Sequence, residues 1–125
     1  MLDLRHKPSF VMIELNSNSQ AIEQGYLRHR GLKVKSGLGS YKNKQSITHL
    51  VTFRTIEDLQ KIISIAREYH QESILVVDSN RTCDLIYMDP KISPVKLGNW
   101  TEITQYEASK SDSWTLLDNR YFVAS

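Results

Sequence analysis

Four polar side chains stand where this chain could orient and bind a small substrate. Tyr41 follows the glycine-containing segment 36–40, and Gln45 comes four residues later, where an apolar alternation begins. Glu72 and Asp78 stand at the two ends of the apolar run 74–77. A phenol, an amide and two carboxylates can hydrogen-bond a polar ligand and hold a positive charge on it. A tyrosine beside a glycine turn also often covers the core, so both interpretations of Tyr41 stay open.

The same part of the chain has an uneven distribution of charge. Residues 24–56 contain no acidic residue, while the basic residues there are Arg28, Arg30, Lys33, Lys35, Lys42, Lys44 and Arg54. Such a stretch is typical either of a solvated basic surface or of a groove for an anionic or carboxylate-bearing ligand. The run Arg28, His29, Arg30 has a structural explanation as well, because cations before Gly31 favour a helix C-terminus.

Other kinds of site find little support in the spacing of residues. The histidines are scattered along the chain, which disfavours a metal site: they are His6, His29, His49 and His70. The single cysteine, Cys83, is predicted to be a buried structural thiol. The Gly37-Leu38-Gly39 segment lacks the spacing of dinucleotide-binding or P-loop motifs. A serine, histidine and acid triad is compatible with the composition, but no nucleophile-elbow motif is present.

Length and composition indicate one globular domain that spans residues 1–125. Hydrophobic residues make up 40% of the chain and charged residues 24%, and no segment approaches the roughly 18 apolar residues of a membrane span. The first residues do not have the pattern of a signal peptide, so we expect a cytoplasmic protein. The net charge of +2 is too small to imply nucleic acid by itself.

The periodicity of apolar residues predicts an α+β domain. We expect a buried strand at residues 9–15, a helix that begins near Ser19 and ends before Gly31, and a turn at residues 36–40. A strand at residues 47–53 should lead into a second helix capped by Thr55. Strands at residues 74–77 and 85–88 should form a hairpin. A strand near residues 95–103 should be interrupted at Gly98, and residues 114–117 and 121–123 should form a closing hairpin.

In the order of its segments the chain resembles the small phage enzymes that degrade S-adenosylmethionine (SAM), known as SAM hydrolases and SAM lyases. The similarity covers nearly the whole chain and depends on colinear short segments: Arg28-His29-Arg30, Gly39-Ser40-Tyr41-Lys42, Gln71-Glu72-Ser73-Ile74-Leu75-Val76, Leu85-Ile86-Tyr87, Leu97-Gly98-Asn99-Trp100-Thr101-Glu102-Ile103 and residues 118–123. No single one of these segments is specific.

The resemblance implies an antiparallel sheet backed by two main helices, ferredoxin-like, in a homotrimer that binds its small-molecule substrate between subunits. It implies loss of methylthioadenosine from SAM, with homoserine lactone as the second product and with no metal or external cofactor. The lyases use a tyrosine and a glutamate. Tyr41 matches the tyrosine, and Gln45 falls at or beside the glutamate. The further expected substrate-binding residues are Arg28, His29, Arg30, Ser40, Glu72 and Asp78.

Gln45 departs from the pattern, and three explanations fit: an engineered replacement, a natural loss that leaves a binding protein, or a register that differs by a residue or more, with the acid supplied from elsewhere. The basic stretch allows a second substrate, the adenylate conjugate SAM-AMP of type III CRISPR defence, because lysines and arginines would hold its phosphate. The alternative function is a non-enzymatic module that binds nucleic acid or nucleotides through residues 24–56, with Tyr26 and Tyr41 as stacking rings.

Overall fold

The chain forms a closed antiparallel barrel of eight strands with three helices on its outside. A computed structural model describes residues 9–15, 17 and 19–125. The elements, in chain order, are β1 (Ser9–Ile13), α1 (Gln20–His29), β2 (Lys33–Tyr41), β3 (Lys44–Phe53), α2 (Ile56–Glu68), β4 (Ser73–Val77), β5 (Thr82–Tyr87), β6 (Val95–Ile103), α3 (Gln105–Ser109), β7 (Trp114–Leu117) and β8 (Arg120–Ala124). Around the barrel the strands run β1-β3-β2-β7-β8-β6-β5-β4, and β4 pairs with β1 to close it.

Strand β1 is buried on both of its faces, and this is why two cores exist. Val11 and Ile13 point outward into a cluster with α1 and α2 that includes Leu27, Ile62 and Ile65. Phe10 and Met12 point inward, into a barrel interior that is completed by Val77, Cys83, Leu117, Trp100 and Phe122. Alternate residues of a strand face opposite sides of the sheet, so each neighbouring strand contributes to the two cores in turn.

The prediction of an open, helix-backed, ferredoxin-like sheet is therefore wrong. Helices α1 and α2 do pack on strands, but they cover part of a barrel wall whose other side encloses a second core. Closing a sheet into a barrel requires strands that tilt against the barrel axis and are staggered in register, and both β2 and β6 extend over nine residues. The prediction of a turn at residues 36–40 is also wrong, because these residues belong to β2, which pairs with β3 on one side and with β7 on the other.

The glycines of β2 allow a close approach between strands and do not form a turn. A Cβ atom on Gly37 would lie 2.0 Å from the carbonyl oxygen of Leu116 in β7, so only glycine lets the two strands pair here. The turn comes later, at Lys42 and Asn43, whose φ angles are 51° and 65°. Two positive φ angles in a two-residue loop are typical of a tight β-hairpin.

Several of the predicted elements are confirmed. Ser19 and Thr55 cap α1 and α2 through their side chains. Strands β4 and β5 form a hairpin, and β7 and β8 form another across Asp118 and Asn119. Strand β6 is irregular next to Gly98: Gly98 pairs with Cys83 of β5 but Lys96 pairs with Asp84, so Leu97 is an extra residue in β6. From Trp100 onward β6 pairs with β8. Over the described part of the chain, no helix is both long and apolar enough to span a membrane.

Candidate functional site

Tyr41 lies at the tip of the hairpin formed by β2 and β3. Its side chain is 67% exposed, and Lys42 Nζ lies 5.3 Å from the centre of its ring. Tyr41 pairs with Lys44 across the hairpin. The ring is therefore an exposed surface group and not a cover of the core, which removes the structural explanation considered for it from the sequence.

The register of the hairpin separates Tyr41 from Gln45. Tyr41 pairs with Lys44, and Ser40 pairs with Gln45. Directly paired residues of a sheet point to the same face, and successive residues point to opposite faces. Within one chain Gln45 therefore shares the outer face with Ser40, while Tyr41 lies on the face that lines the barrel. Ser40 is buried, and its hydroxyl donates a hydrogen bond to the carbonyl of Asp112 at 3.2 Å.

The inward-facing residues near this hairpin form a polar rim, which we call the barrel mouth. It consists of Glu14, Gly39, Tyr41, Lys44, Ser46 and Thr115. Gly39 is flanked by Ser46 on β3 and by Thr115 on β7, and Thr115 shares the inner face with Phe122 of the interior core. The mouth thus presents a phenol, two hydroxyls, the ammonium of Lys44 and a carboxylate around a position that has no side chain.

Glu14 is the acidic member of the mouth. Its backbone N–H donates to Gln71 Oε1 at 3.2 Å, and its Oε1 accepts a hydrogen bond from the Ser46 hydroxyl. The side chain is half-buried. Sequence reasoning missed Glu14 because it was taken as part of an apolar strand. The available signal was its position two residues beyond Met12, on the inward-facing parity of that strand.

Glu72 and Asp78 lie at opposite ends of the barrel. Glu72 is exposed and follows Gln71, so it is at the same end as the barrel mouth. Asp78 closes the turn between β4 and β5, where its Oδ1 accepts hydrogen bonds from the N–H groups of Asn80 and Thr82, both at 2.9 Å. Asp78 therefore has a structural task in the turn. A substrate contact for either residue stays a prediction.

The residues Arg28, His29 and Arg30 lie at the end of α1, far from Tyr41. They precede the start of β2, and the eight residue steps from Lys33 to Tyr41 correspond to roughly 26 Å along a strand. Arg28 donates to the carbonyl of Val34 at 3.4 Å, and Arg30 donates to the Tyr26 hydroxyl at 2.7 Å. One subunit thus does not bring them to the mouth, and a shared site would need a second subunit.

The basic stretch is divided between the two ends of β2. Lys42 and Lys44 stand at the hairpin tip, while Lys33 and Arg54 line a shallow open cleft at the other end that also includes Asp58. None of the predicted site residues lines this cleft. Two other cations of the stretch are neutralised, Arg30 by Glu68 at 3.9 Å and Lys35 by Asp118 at 2.9 Å. The seven basic residues therefore do not form one continuous groove.

A buried hydrogen-bonded chain joins α1 to β2 and β3. His49 Nδ1 lies 2.6 Å from Ser36 Oγ, and His49 Nε2 lies 2.6 Å from Glu23 Oε1. Burial raises the pKa of Glu23, but hydrogen bonds from Ser17 and His49 lower it more, so that the pKa falls below its ordinary 4.5. The order of hydroxyl, imidazole and carboxylate resembles a triad. Because His49 and Glu23 are buried, we assign a structural role to these hydrogen bonds: they hold α1 against the barrel.

Two further kinds of reactive group are the thiol of Cys83 and side chains that could bind a metal ion. Cys83 is fully buried in the barrel interior, and burial raises the pKa of its thiol to about 11, so the group stays a protonated, unreactive thiol. Within residues 9–15, 17 and 19–125, no three or more histidine, cysteine, aspartate or glutamate side chains are grouped as metal ligands. His6 lies outside the described residues.

Comparison with known proteins identifies the family of the chain. No curated protein matches the chain. A family model described as the S-Adenosylmethionine lyase family matches residues 12–125, which include every strand from β2 to β8 and the barrel mouth. This match confirms the resemblance proposed from the sequence: the chain belongs to the S-adenosylmethionine lyase family.

Proposed function

We propose that this chain splits SAM into methylthioadenosine and homoserine lactone, using a site at the barrel mouth. The observation that carries the proposal is the family match over residues 12–125. Family membership indicates an enzyme that acts on SAM. The products and the location of the site are the proposed part.

The proposed reaction is an internal displacement. An oxygen of the substrate's own carboxylate bonds to its γ-carbon while the bond from that carbon to sulfur breaks, and the bonding electron pair stays on sulfur. The sulfonium becomes the neutral thioether of methylthioadenosine, and the carboxylate becomes the ester of the lactone. No proton is transferred, so the protein needs neither an acid nor a base. Its contribution is to hold the folded substrate with the two reacting atoms in contact and to exclude competing conformations.

Tyr41 is the group that we propose contacts the reacting end of the substrate. Its hydroxyl is exposed at the mouth, and among the described residues it has no hydrogen-bond partner, so it is available to a ligand. Gln45, on the outer face, is proposed as a neutral hydrogen-bonding group at a subunit boundary. The amide of Gln45 is uncharged, so it can hydrogen-bond a ligand but cannot act as a counter-ion.

The proposal includes a homotrimer, and an apolar outer face beside the mouth supports it. Leu38, 40% exposed, pairs with Ile47 on one side and with Leu116 on the other. Trp114 and Tyr121 continue this face, with ring centres 5.3 Å apart. The buried cluster under α1 and α2 includes none of these side chains. Apolar sheet surface next to a polar site is what an interface between copies would cover.

A second substrate, SAM-AMP, is favoured by one observation. Lys42 and Lys44 flank Tyr41 at the hairpin tip, and among the described residues neither forms an ion pair. Two available cations beside the proposed site would bind the phosphate that SAM-AMP has and SAM lacks. With either substrate, the proposed biological role is to counteract host restriction or type III CRISPR defence by removing a methyl donor or a messenger.

The test is to incubate the purified protein separately with SAM and with SAM-AMP and to separate the products by chromatography. Release of methylthioadenosine, or of its adenylated form, supports the proposal, and the faster substrate identifies the preference. If neither is consumed, the enzymatic proposal is wrong. Binding of single-stranded nucleic acid that weakens steeply with salt would then support the alternative binding module.

A further inference from the structure

We infer that Glu14 is the carboxylate that binds the substrate's α-ammonium group, and that it takes the place of the acid missing at position 45. This inference rests on the proposed function and extends it by one named residue. Three features of the barrel mouth support it: Glu14 shares a face with Tyr41, its charge has no ion-pair partner among the described residues, and position 39 has no side chain. The fourth feature is the change of charge during the reaction.

The first feature is that Glu14, and not Gln45, shares a face with Tyr41. Tyr41 pairs with Lys44 and Gly39 with Ser46, so these four residues point to the inner side of the hairpin. Ser46 and Tyr41 are diagonal neighbours, which in a sheet stand roughly 7–8 Å apart. The Ser46 hydroxyl donates to Glu14 Oε1. The Tyr41 phenol and the Glu14 carboxylate therefore lie on the same face of the barrel, close enough for one small molecule to contact both.

The second feature is the charge of Glu14. Its side chain is half-buried, and its hydrogen bond comes from an uncharged hydroxyl. None of the ion pairs formed between described residues includes Glu14. Lys44 points to the same face but forms no ion pair with Glu14. A partly desolvated carboxylate that has no ion-pair partner attracts a positively charged ligand more strongly than a surface carboxylate does, because screening there is weaker. SAM carries two positive groups, the ammonium and the sulfonium.

The third feature is the room above Gly39. A Cβ atom on Gly39 would meet only Thr48, at 3.5 Å, which is ordinary contact. Gly39 thus differs from Gly37, where the backbone of β7 occupies the position that a Cβ atom would need. Nothing in the packing of the strands demands a glycine at position 39. A side chain at position 39 would project from the same face as the Tyr41 ring and the Ser46 hydroxyl, so glycine leaves that part of the face uncovered.

The fourth feature decides which positive group Glu14 binds. The sulfonium charge disappears as the bond from the γ-carbon to sulfur breaks, so a carboxylate placed against it would stabilise the substrate more than the transition state. The ammonium keeps its charge throughout. A carboxylate placed against the ammonium binds substrate and transition state alike, and its loss should raise KM more than it lowers kcat.

The test uses Glu14→Gln, which keeps the shape and the ability to accept from Ser46. We expect KM for SAM to rise at least about tenfold, with kcat changed less than about threefold. The matched control is Glu57→Gln, which removes one negative charge from an exposed position at the start of α2 and should leave both constants unchanged. Equal KM values for the wild type and Glu14→Gln, with thermal unfolding unchanged, would overturn the inference.

A second variant tests the space itself. Gly39→Ala would place one methyl group in the mouth, in ordinary contact with Thr48 at 3.5 Å, so it should fold normally and raise KM by at least about threefold. An unchanged KM would remove the mouth from the account. Equilibrium binding of SAM distinguishes failure of the lyase proposal from failure of the role assigned to Glu14. If the wild type binds SAM without turnover and Glu14→Gln binds at least about tenfold more weakly, the lyase proposal fails and the role of Glu14 stands. If the wild type neither binds nor consumes SAM, both fail.

Discussion

Removing one oxygen atom from Tyr41 gives a sharp test of the proposed site. Tyr41→Phe keeps the ring and its contact with Lys42 but deletes the hydroxyl. Among the described residues that hydroxyl has no hydrogen-bond partner, and the side chain is 67% exposed. The variant should therefore keep the stability of the wild type within about 0.5 kcal/mol.

The expected effect on catalysis follows from one lost hydrogen bond. A neutral hydrogen bond contributes about 0.5–1.5 kcal/mol net, and a contact that forms fully only in the transition state, next to a group whose charge is changing, falls at the upper end of this range. We therefore expect kcat to fall at least about tenfold, equivalent to roughly 1.4 kcal/mol. The assay is the initial rate of methylthioadenosine release at saturating SAM, together with urea unfolding of both proteins.

Tyr26→Phe is the matched control because its hydroxyl is used by the fold and lies away from the mouth. That hydroxyl accepts from Arg30 at 2.7 Å and donates to Glu68 at 3.2 Å. Its removal should lower the free energy of unfolding by up to about 1 kcal/mol and leave the rate per folded molecule unchanged. The reasoning is refuted if Tyr41→Phe is as active as the wild type, or if the two variants lose activity equally.

Three further predictions concern the outer face, the assembly and the buried chain. Gln45→Glu should change turnover less than about threefold if Glu14 supplies the carboxylate, whereas a large gain in rate would return that role to position 45. The mass of one chain is 14.5 kDa; sedimentation at micromolar concentration should give three times this mass, and a monomer alone would contradict the proposed homotrimer and the covering of its apolar outer face. Glu23 has a folded-state pKa below 4.5, so the stability that it contributes is complete above that pH and is lost as pH falls through the folded-state pKa. Unfolding free energies between pH 7 and pH 3 should show a steeper acid decline for the wild type than for Glu23→Gln, and parallel declines would contradict the role given to this carboxylate.

Local signals in the sequence predicted most elements, because they depend on neighbouring residues. Ser19 and Thr55 are good helix caps, and Asp118 and Asn119 tolerate the positive φ angles of a tight hairpin. Helix α3 was missed although Thr104 and Glu107 form a capping box. The segment is only five residues long and lacks an apolar stripe, which was the signal used for the other helices.

Barrel closure could not be predicted in the same way, because it depends on pairs of residues that are distant in sequence. The glycines of β2 were interpreted as a turn, whereas Gly37 is required by Leu116, which lies far along the chain. One clue was available: four consecutive apolar residues, 10–13, are all buried, as expected of a strand that is covered on both faces.

The positions of the candidate site residues could be predicted only in part, because they too depend on the pairing of strands; their roles stay predictions. Tyr41 was singled out by its position after the glycines, and the structure leaves it exposed at the mouth. Gln45 was placed beside it by closeness in sequence, but the period of a strand turns the two side chains to opposite faces. Glu14 reaches the mouth only through the pairing of β1 with β3, a contact that no local pattern reveals.

The central claim is that this chain is a SAM lyase, and product analysis in water enriched in oxygen-18 tests it most directly. After incubation with SAM, the account predicts methylthioadenosine together with homoserine lactone that contains no oxygen from the solvent. Any homoserine formed later by opening of the lactone should carry the label in its carboxyl group. Homoserine labelled at its hydroxyl oxygen would instead show that water attacks the γ-carbon, and an absence of methylthioadenosine would contradict the account as a whole.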